Sequence, residues 1–453
     1  MISHLCLGLL LALSPTSQAW VTPAAKQQSS FTALRATTNN NVVLRPSENE
    51  EAFDSLRIGS ARVHRYMRDG SAGESAEYVM WYHGRSQTQN DKSLPPLSTG
   101  RIGRATSLNG LQWEKITEGS LAEDVGDVSL GLNQESWWGF DTAHVGLGQV
   151  LLPMTTPAVM TEGGVYIMYY MGGNGEQTPM ADYVENVPEG SADAKIEGMK
   201  MRIGVAVSQD GKTWGRVEGD DPTGACIAPY DASDPNQKDV PGMRDDDDSL
   251  LNIDEELYCA WPEVAVKIRG EDEEKIVKGK EMPSFFMYYS TMRKSDKKKC
   301  IALAVSTDGF MWSKRGICLE PDASGMDADG CAQCNVVQKA SYVDGEWKNE
   351  DGWLMFYEGT SKEDGKLRVM MAESEDGRNW ERKGAVFDVG ETDDAWDFGG
   401  AGSPHVIRLD DGSMRMYYTG EGTDGSTSVG VARLEGGAAM TEWAREQAEF
   451  AFS

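Results

Sequence analysis

One phrase recurs four times along the 453 residues and constrains what the chain can fold into. Ser107 to Trp113 reads SLNGLQW, Ser208 to Trp214 SQDGKTW, Ser306 to Trp312 STDGFMW and Ser374 to Trp380 SEDGRNW. Ser, Asp or Asn, Gly and Trp keep the same offsets each time. Upstream stand the triplets Met80-Trp81-Tyr82, Met168-Tyr169-Tyr170, Met287-Tyr288-Tyr289 and Met355-Phe356-Tyr357. A fifth triplet, Met416-Tyr417-Tyr418, has no such phrase after it. Internal recurrence of this kind means one supersecondary unit used several times, each burying its apolar face on its neighbours.

The segments ending at each recurring Ser (RIGRATS, RIGVAVS, CIALAVS, RVMMAES) alternate apolar and small residues, as strands do. Ala105, Ala206, Ala304 and Ala372 stand two places before it, and Ala432 fills the equivalent place in the fifth unit. The Asn-Gly or Asp-Gly that follows predicts a tight type I′ hairpin. The Trp then starts a return strand and can wedge toward the next unit. A further strand is expected before each triplet, at Ala61-Arg62-Val63, Pro157-Ala158-Val159, Pro262-Glu263-Val264, Cys334-Asn335-Val336 and Pro404-His405-Val406. The pattern thus predicts an all-β fold, a five-bladed β-propeller of four-stranded antiparallel blades over residues 48–440, with 441–453 as a tail. A sixth blade could hide only in Asp127 to Pro153, which reads as a loop with two short strands. Long connections are expected at Gly172 to Lys200 and at Glu218 to Leu257; the second carries Asp245-Asp246-Asp247-Asp248, most simply a solvated loop.

A formal net charge of −29 disfavours nucleic acid and anionic membranes as partners. Leu5 to Leu13 is an apolar run too short to span a bilayer, followed by the small-residue site Ser17-Gln18-Ala19. Residues 1–19 therefore read as a signal peptide. Residues 20–47 contain Lys26, Arg35 and Arg45 and no acid before Glu48, which is transit-peptide composition. The two together resemble the bipartite presequence of secondary plastids, so a plastid location is expected, with secretion as the alternative. Six cysteines remain after Cys6, too sparse for a disulfide scaffold. Cys331 and Cys334 form a lone C-x-x-C, without the second pair that zinc would need.

The short phrase with its Met-Tyr-Tyr triplet resembles the five-bladed glycoside hydrolases of families 43, 32 and 68 and the family 130 mannoside phosphorylases, over roughly Ile58 to Leu434. The related Asp-box of sialidases has an extra residue between Asp and Gly. In a propeller the inner strands begin around a central pocket, which makes Arg62, Ala158, Glu263, Asn335 and His405 the positions to read. Ser60, Thr156, Trp261, Gln333 and Ser403 are the next ones inward. The resemblance implies a general acid in the third unit, and Glu263, beside Trp261 and Pro262, stands there. Desolvation would raise its pKa, as an acid requires. The alternative is that Glu263 pairs with a base such as Arg62 to stabilise the ring.

The hydrolase families also need an Asp in the first unit and another in the second, where this chain has Arg62 and Ala158. Asp141, in Trp138-Gly139-Phe140-Asp141-Thr142-Ala143-His144, is the best remaining base or nucleophile; a turn-capping Asp is the alternative. Arg62, Arg85, His144, Trp261, Asn335 and His405 are the expected substrate-binding residues. Phosphorylases of family 130 need a single acid and basic residues to hold phosphate, a role open to Arg62, Arg85 and His405. Glu358 and Glu421, each after a Tyr-ending strand, are further pocket acids. Trp137, Trp138, Trp261 and Trp396 are placed either to stack on sugars or to pack between blades. No cofactor or metal is expected, apart from a calcium ion beside His405 that the resemblance allows. The expected function is glycoside hydrolysis or transglycosylation with Glu263 as acid. Phosphorolysis and non-catalytic binding of a glycan or protein are the alternatives.

Overall fold

The computed structural model describes residues 41–66, 77–86, 99–116, 128–154, 164–183, 193–233, 254–267 and 285–448. These form an all-β domain of successive four-stranded antiparallel meanders, the arrangement of a propeller fold. The first comprises Arg57–Tyr66, Glu77–Arg85, Arg101–Ser107 and Glu114–Lys115. The second comprises His144–Met154, Val165–Gly173, Arg202–Ser208 and Gly215–Val217. The third comprises Glu256–Val266, Phe285–Arg293, Lys299–Ser306 and Ser313–Leu319. The fourth comprises Gly330–Val343, Glu346–Thr360, Leu367–Ser374 and Glu381–Phe387. The fifth comprises Gly400–Arg408, Met414–Glu421, Thr427–Leu434 and Ala444–Arg445. The first strands touch one another in sequence order, and the last of them also touches the first; they are called inner strands below.

The folded domain is wider than the sequence suggests. Val42–Leu44 pairs with Thr427–Leu434, and so does Ala444–Arg445 from the expected tail. The first and last described strands thus cover one edge that would otherwise expose unpaired backbone. Residues 1–40, with the expected signal and most of the expected transit segment, and Asp245–Asp248 lie outside the described residues. The second inner strand is also displaced. The expected Pro157-Ala158-Val159 lies outside the described residues, and His144–Met154 is what pairs with Val165–Gly173. Gln149-Val150 therefore takes the place that Arg62-Val63 and Glu263-Val264 hold in their strands.

The recurring phrase works as a docking element. Ser107 Oγ accepts from Gly110 N at 2.9 Å, and Asn109 Oδ1 accepts from Leu111 N and Gln112 N, both at 2.9 Å. The same pattern is seen at Ser208/Asp210, Ser306/Asp308 and Ser374/Asp376. Only the Gly of each phrase has positive φ, between 68° and 84°. The turn is therefore held by side-chain caps and is not the expected type I′, which needs two such residues. The capped Gly presents its carbonyl to the neighbouring meander. Tyr169 Oη donates to Gly309 O at 2.9 Å, Tyr288 Oη to Gly377 O at 2.6 Å and Trp81 Nε1 to Gly211 O at 3.2 Å. Tyr417 Oη closes the sequence by donating to Gly110 O at 2.9 Å. Each phrase Trp packs on the same aromatic, as Trp312 does on Tyr169 with centroids 5.7 Å apart. In the fifth meander, which lacks the phrase, Trp443 packs edge-on to Phe356 instead.

The last Tyr of each triplet has a second task. Tyr170 Oη donates to Asp141 Oδ2 at 2.8 Å, and Arg216 Nε from the fourth strand donates to the same oxygen at 2.6 Å. Tyr82/Asp54/Lys115, Tyr357/Asp327/Arg382 and Tyr418/Asp397/Arg445 repeat this clasp. In the third meander Tyr289 and Lys314 meet Glu256. Each clasp ties the start of a meander to its second and fourth strands. It also satisfies a carboxylate that would be expensive to bury alone.

Candidate functional site

The starts of the inner strands and the ends of the second strands converge on one cavity of about 150 Å³. That is the size of an engineered cavity that takes up benzene, so one ring-sized ligand fits. Its floor consists of residues held in the left-handed region. Ser60, Trp261, Gln333 and Ser403 have φ of 48°, 46°, 39° and 47°, and all four line the cavity. At each, the inner strand carries a bulge, with the register shifting between Gly59 and Arg62, Ala260 and Glu263, Ala332 and Asn335, and Gly402 and His405. Non-glycine residues in this region are strained and persist only where surrounding contacts enforce them. Here the contacts are visible: Ser60 Oγ and Ser403 Oγ both donate to Gln333 Oε1, at 3.0 and 2.5 Å. The backbone N–H groups of Ser60 and Gln333 donate to Thr419 Oγ1 and Ser290 Oγ. With its oxygen occupied twice, the Gln333 amide is fixed in orientation. Gly148 marks the second strand's bulge, where a Cβ would meet Pro262 Cγ at 2.4 Å.

The wall is charged. Glu358 and Glu421 supply carboxyl groups, and Arg57, Arg85 and Lys299 supply cations. Burial raises the Glu358 carboxyl above the usual range, while Lys299 and the Ser403 N–H at 3.3 Å pull it back. Burial likewise raises Glu421, against the pull of Arg57, whose Nη1 is 3.8 Å from Oε1. Arg85 is pushed down to about 10 by burial and by Arg57. His83 also lines the cavity; its Nε2 has no hydrogen-bond partner, and burial with the nearby Arg85 holds it neutral.

Below the floor lies a sealed second layer. Glu263 is fully buried and is not among the residues lining the cavity. Its Oε1 accepts from Asn335 Nδ2 at 2.7 Å, Val336 N at 3.1 Å and Gln149 Nε2 at 3.2 Å, and its Oε2 faces Arg62 Nε at 3.6 Å. Burial pushes its carboxyl up to about 7, in spite of Arg62 and those N–H donors. Asn335 Oδ1 accepts from Val406 N at 2.8 Å, His405 Nε2 donates to Val63 O at 3.0 Å and His64 Nε2 to Val150 O at 2.6 Å. Side chains on one inner strand thus bond to the valine of the next, stitching the strands together.

Of the expected substrate-binding residues, Arg85 and Trp261 reach the cavity, as do the expected pocket acids Glu358 and Glu421 and the inner positions Ser60, Gln333 and Ser403. Arg62, Glu263, Asn335 and His405 form the layer beneath it. Asp141 sits in a clasp with Tyr170 and Arg216, and His144 donates from Nε2 to Gly198 O at 2.8 Å with its ring held neutral, near 4, by burial. Among the Trp residues, Trp396 is committed to packing on Tyr418 and donating to Asn41 Oδ1, whereas Trp137 and Trp138 stand exposed on the loop before Asp141. Cys331 and Cys334 are buried free thiols. Sequence reasoning missed Lys299 and Arg57. Both open their strands, and a base at a strand start was the available signal.

Among the described residues no cluster of His, Cys, Asp and Glu could hold a metal ion, and no helix is long and apolar enough to cross a membrane. No protein-family model and no curated protein matches the chain. Solved structures do match. A structure described as a BT0996 RGII complex is 17% identical, with a TM-score of 0.51 over 89% of this protein and 92% of that one. A structure described as a glycoside hydrolase is 16% identical, with a TM-score of 0.50 over 91% and 95%. A glycosyl hydrolase from Bacteroides ovatus is 15% identical, with a TM-score of 0.50 over 90% and 94%. At these identities the likeness is one of fold, and over most of its length this protein is similar in fold to the propeller glycoside hydrolase-like structures.

Proposed function

We propose that the chain is a carbohydrate-active, five-bladed propeller that cleaves a glycosidic bond in the axial cavity, with Glu358 as the proton donor. The ring of inner-strand contacts and the closing bond from Tyr417 to Gly110 support the five-bladed reading. The observation that carries the chemistry is the presence of two carboxyl groups, Glu358 and Glu421, on one cavity wall. Glu358 is buried and its carboxyl is raised, which suits a group that must hold a proton near neutral pH. Glu421 is more exposed; burial raises its carboxyl too, but the adjacent Arg57 opposes that rise, and on this reading Glu421 is the base or nucleophile. Trp261 lines the same cavity and supplies the aromatic side chain for contact with a sugar ring. On this reading Glu263 and Asp141 hold the fold and do not take part in bond cleavage.

Phosphorolysis is the second reading, favoured by Arg85 and Lys299, cavity cations that hold no ion pair within the described residues. Phosphate would then replace the second carboxylate as the attacking group. The test is a panel of chromogenic glycosides and oligosaccharides with and without phosphate, run on the wild type and on Glu358→Gln. Turnover that is lost in Glu358→Gln supports the proposal, and its dependence on phosphate selects between the readings. Binding without turnover in the wild type would leave a glycan-binding propeller. Full activity in Glu358→Gln would overturn the assignment.

A further inference from the structure

The cavity charges do not balance. Glu421 faces Arg57, and Glu358 feels the charge of Lys299. Arg85 is left over: its guanidinium makes no hydrogen bond or ion pair with any described residue. Its charged neighbour is Arg57, which repels it, and the nearby rings of His83 and His144 are neutral. Arg57 is attracted by Glu421 at 3.8 Å and by Asp424, although its Nη1 is buried without a hydrogen bond. A half-buried guanidinium beside a second one, with no described carboxylate on it, is a ready partner for a ligand that supplies negative charge. The buried arginines Arg415 and Arg202 have their acids, Glu446 at 2.7 Å and Glu176 at 2.8 Å. Arg85 has none among the described residues, and it lies on the wall of the cavity that the inner strands enclose.

We infer that the glycan entering this cavity carries an anionic substituent, a sugar carboxylate or sulfate ester, which Arg85 receives. This rests on the proposed function of the same cavity and adds the class of sugar. A planar fork of N–H donors matches an oxyanion bidentately, which a neutral hydroxyl cannot do. Neutral His83 beside it can add a hydrogen bond without changing the charge. Gln333, whose oxygen is already taken by Ser60 and Ser403, has its amide nitrogen left for a sugar oxygen.

The experiment is a titration of the full chain, read by tryptophan fluorescence, with matched oligosaccharides ending in glucose, glucuronate or 6-sulfoglucose, and with inorganic phosphate alone. We expect an acidic member to bind about ten-fold or more tightly than its neutral counterpart, since a charge-assisted pair is at stake. The preference should fall with salt and drop to near parity in Arg85→Gln, while Arg85→Lys keeps part of it. The glucuronate and sulfate arms tell the two oxyanions apart. Equal binding of neutral and acidic members overturns the inference and leaves the glycan reading standing. Phosphate that binds alone and enhances binding of the neutral member overturns it in favour of phosphorolysis. Binding of none of the sugars overturns both. An acidic preference that persists in a folded Arg85→Gln, checked by near-UV circular dichroism, also overturns it.

Discussion

Arg62 and Glu263 face each other across the axis with Nε and Oε2 3.6 Å apart, and each side chain is only 1% exposed. Neither of these two atoms has a hydrogen bond. The pair lies beneath the floor made by Ser60, Trp261, Gln333 and Ser403, at positions where the resemblance read from the sequence leads us to expect catalytic carboxylates. Here those positions are filled by an ion pair and by amides that bond from strand to strand.

Glu263→Gln should therefore act on stability before it acts on turnover. Gln copies the protonated carboxyl, so at acid pH, where the folded Glu263 is protonated, the variant and the wild type should be about equally stable. The pH dependence has a definite sign. The folded carboxyl titrates at about 7 against 4.5 unfolded, so the folded state binds more protons between those values. Stability from this group is full below about pH 4.5, is lost as pH rises to about 7, and is flat above. Thermal unfolding from pH 4 to 8 should show this slope in the wild type and not in Glu263→Gln. A folded, equally stable Glu263→Gln with no turnover would show that Glu263 is the acid after all.

The clasps predict equivalence between residues far apart in sequence. Asp141→Asn and Asp327→Asn each weaken one charge-assisted pair, to Arg216 and to Arg382. Urea denaturation should register a similar loss for the two, about 1–3 kcal/mol, and Tyr170→Phe a smaller one. Turnover per folded molecule should not change. A collapse of turnover in Asp141→Asn alone would single Asp141 out as a functional base.

Much of this architecture was legible because it rests on local chemistry that recurs. The Ser, Asp and Gly of the phrase are a cap, and the middle aromatic of the triplet is the partner that the cap docks on. Both periods are written in the chain. The second inner strand was not legible, because Gln149-Val150 sits in a run of small and apolar residues without the proline seen at Pro262 and Pro404. Pro157-Ala158-Val159 imitated that signal shortly afterwards. The cavity was half legible. Glu358 and Glu421 follow tyrosines and could be flagged, but no local pattern says that Glu263 lies one layer too deep. That depth comes from the bulges at Ser60, Trp261, Gln333 and Ser403, which turn one residue toward the cavity and the next pair beneath it. Left-handed Ser, Trp and Gln carry no sequence signature comparable to Gly.

The strain at those bulges is measurable. Ser60→Ala and Ser60→Gly both delete the bond to Gln333, but only Gly relieves φ of 48°. In an ordinary strand Ala is the more stable of the two, by roughly 0.5–1 kcal/mol. Here the order should reverse, with Gly the more stable by about 1 kcal/mol. Both variants should bind the cavity ligand more weakly, because Gln333 loses one of the two bonds that orient it. Ala at least as stable as Gly in denaturant titrations would mean that the floor is not strained.

Lys299 gives the most direct test of which carboxyl donates the proton. Its charge pulls the Glu358 carboxyl down against the upward push of burial. Removing that charge in Lys299→Met must raise the Glu358 pKa further. A general acid works only while protonated, so kcat/KM falls on the alkaline side as it ionises. The alkaline limb should therefore move to higher pH in Lys299→Met, with kcat on the plateau reduced if Lys299 also touches the ligand. In Glu358→Gln the limb should vanish together with most of the activity, by a factor of about 10² to 10⁴ for substrates with poor leaving groups. Glu263 lies under the floor, and Lys299 is absent from the groups that shift its carboxyl. If Glu263 were the acid, Lys299→Met would leave the limb where it is. The pH profile of this one variant thus separates the cavity wall from the layer beneath it.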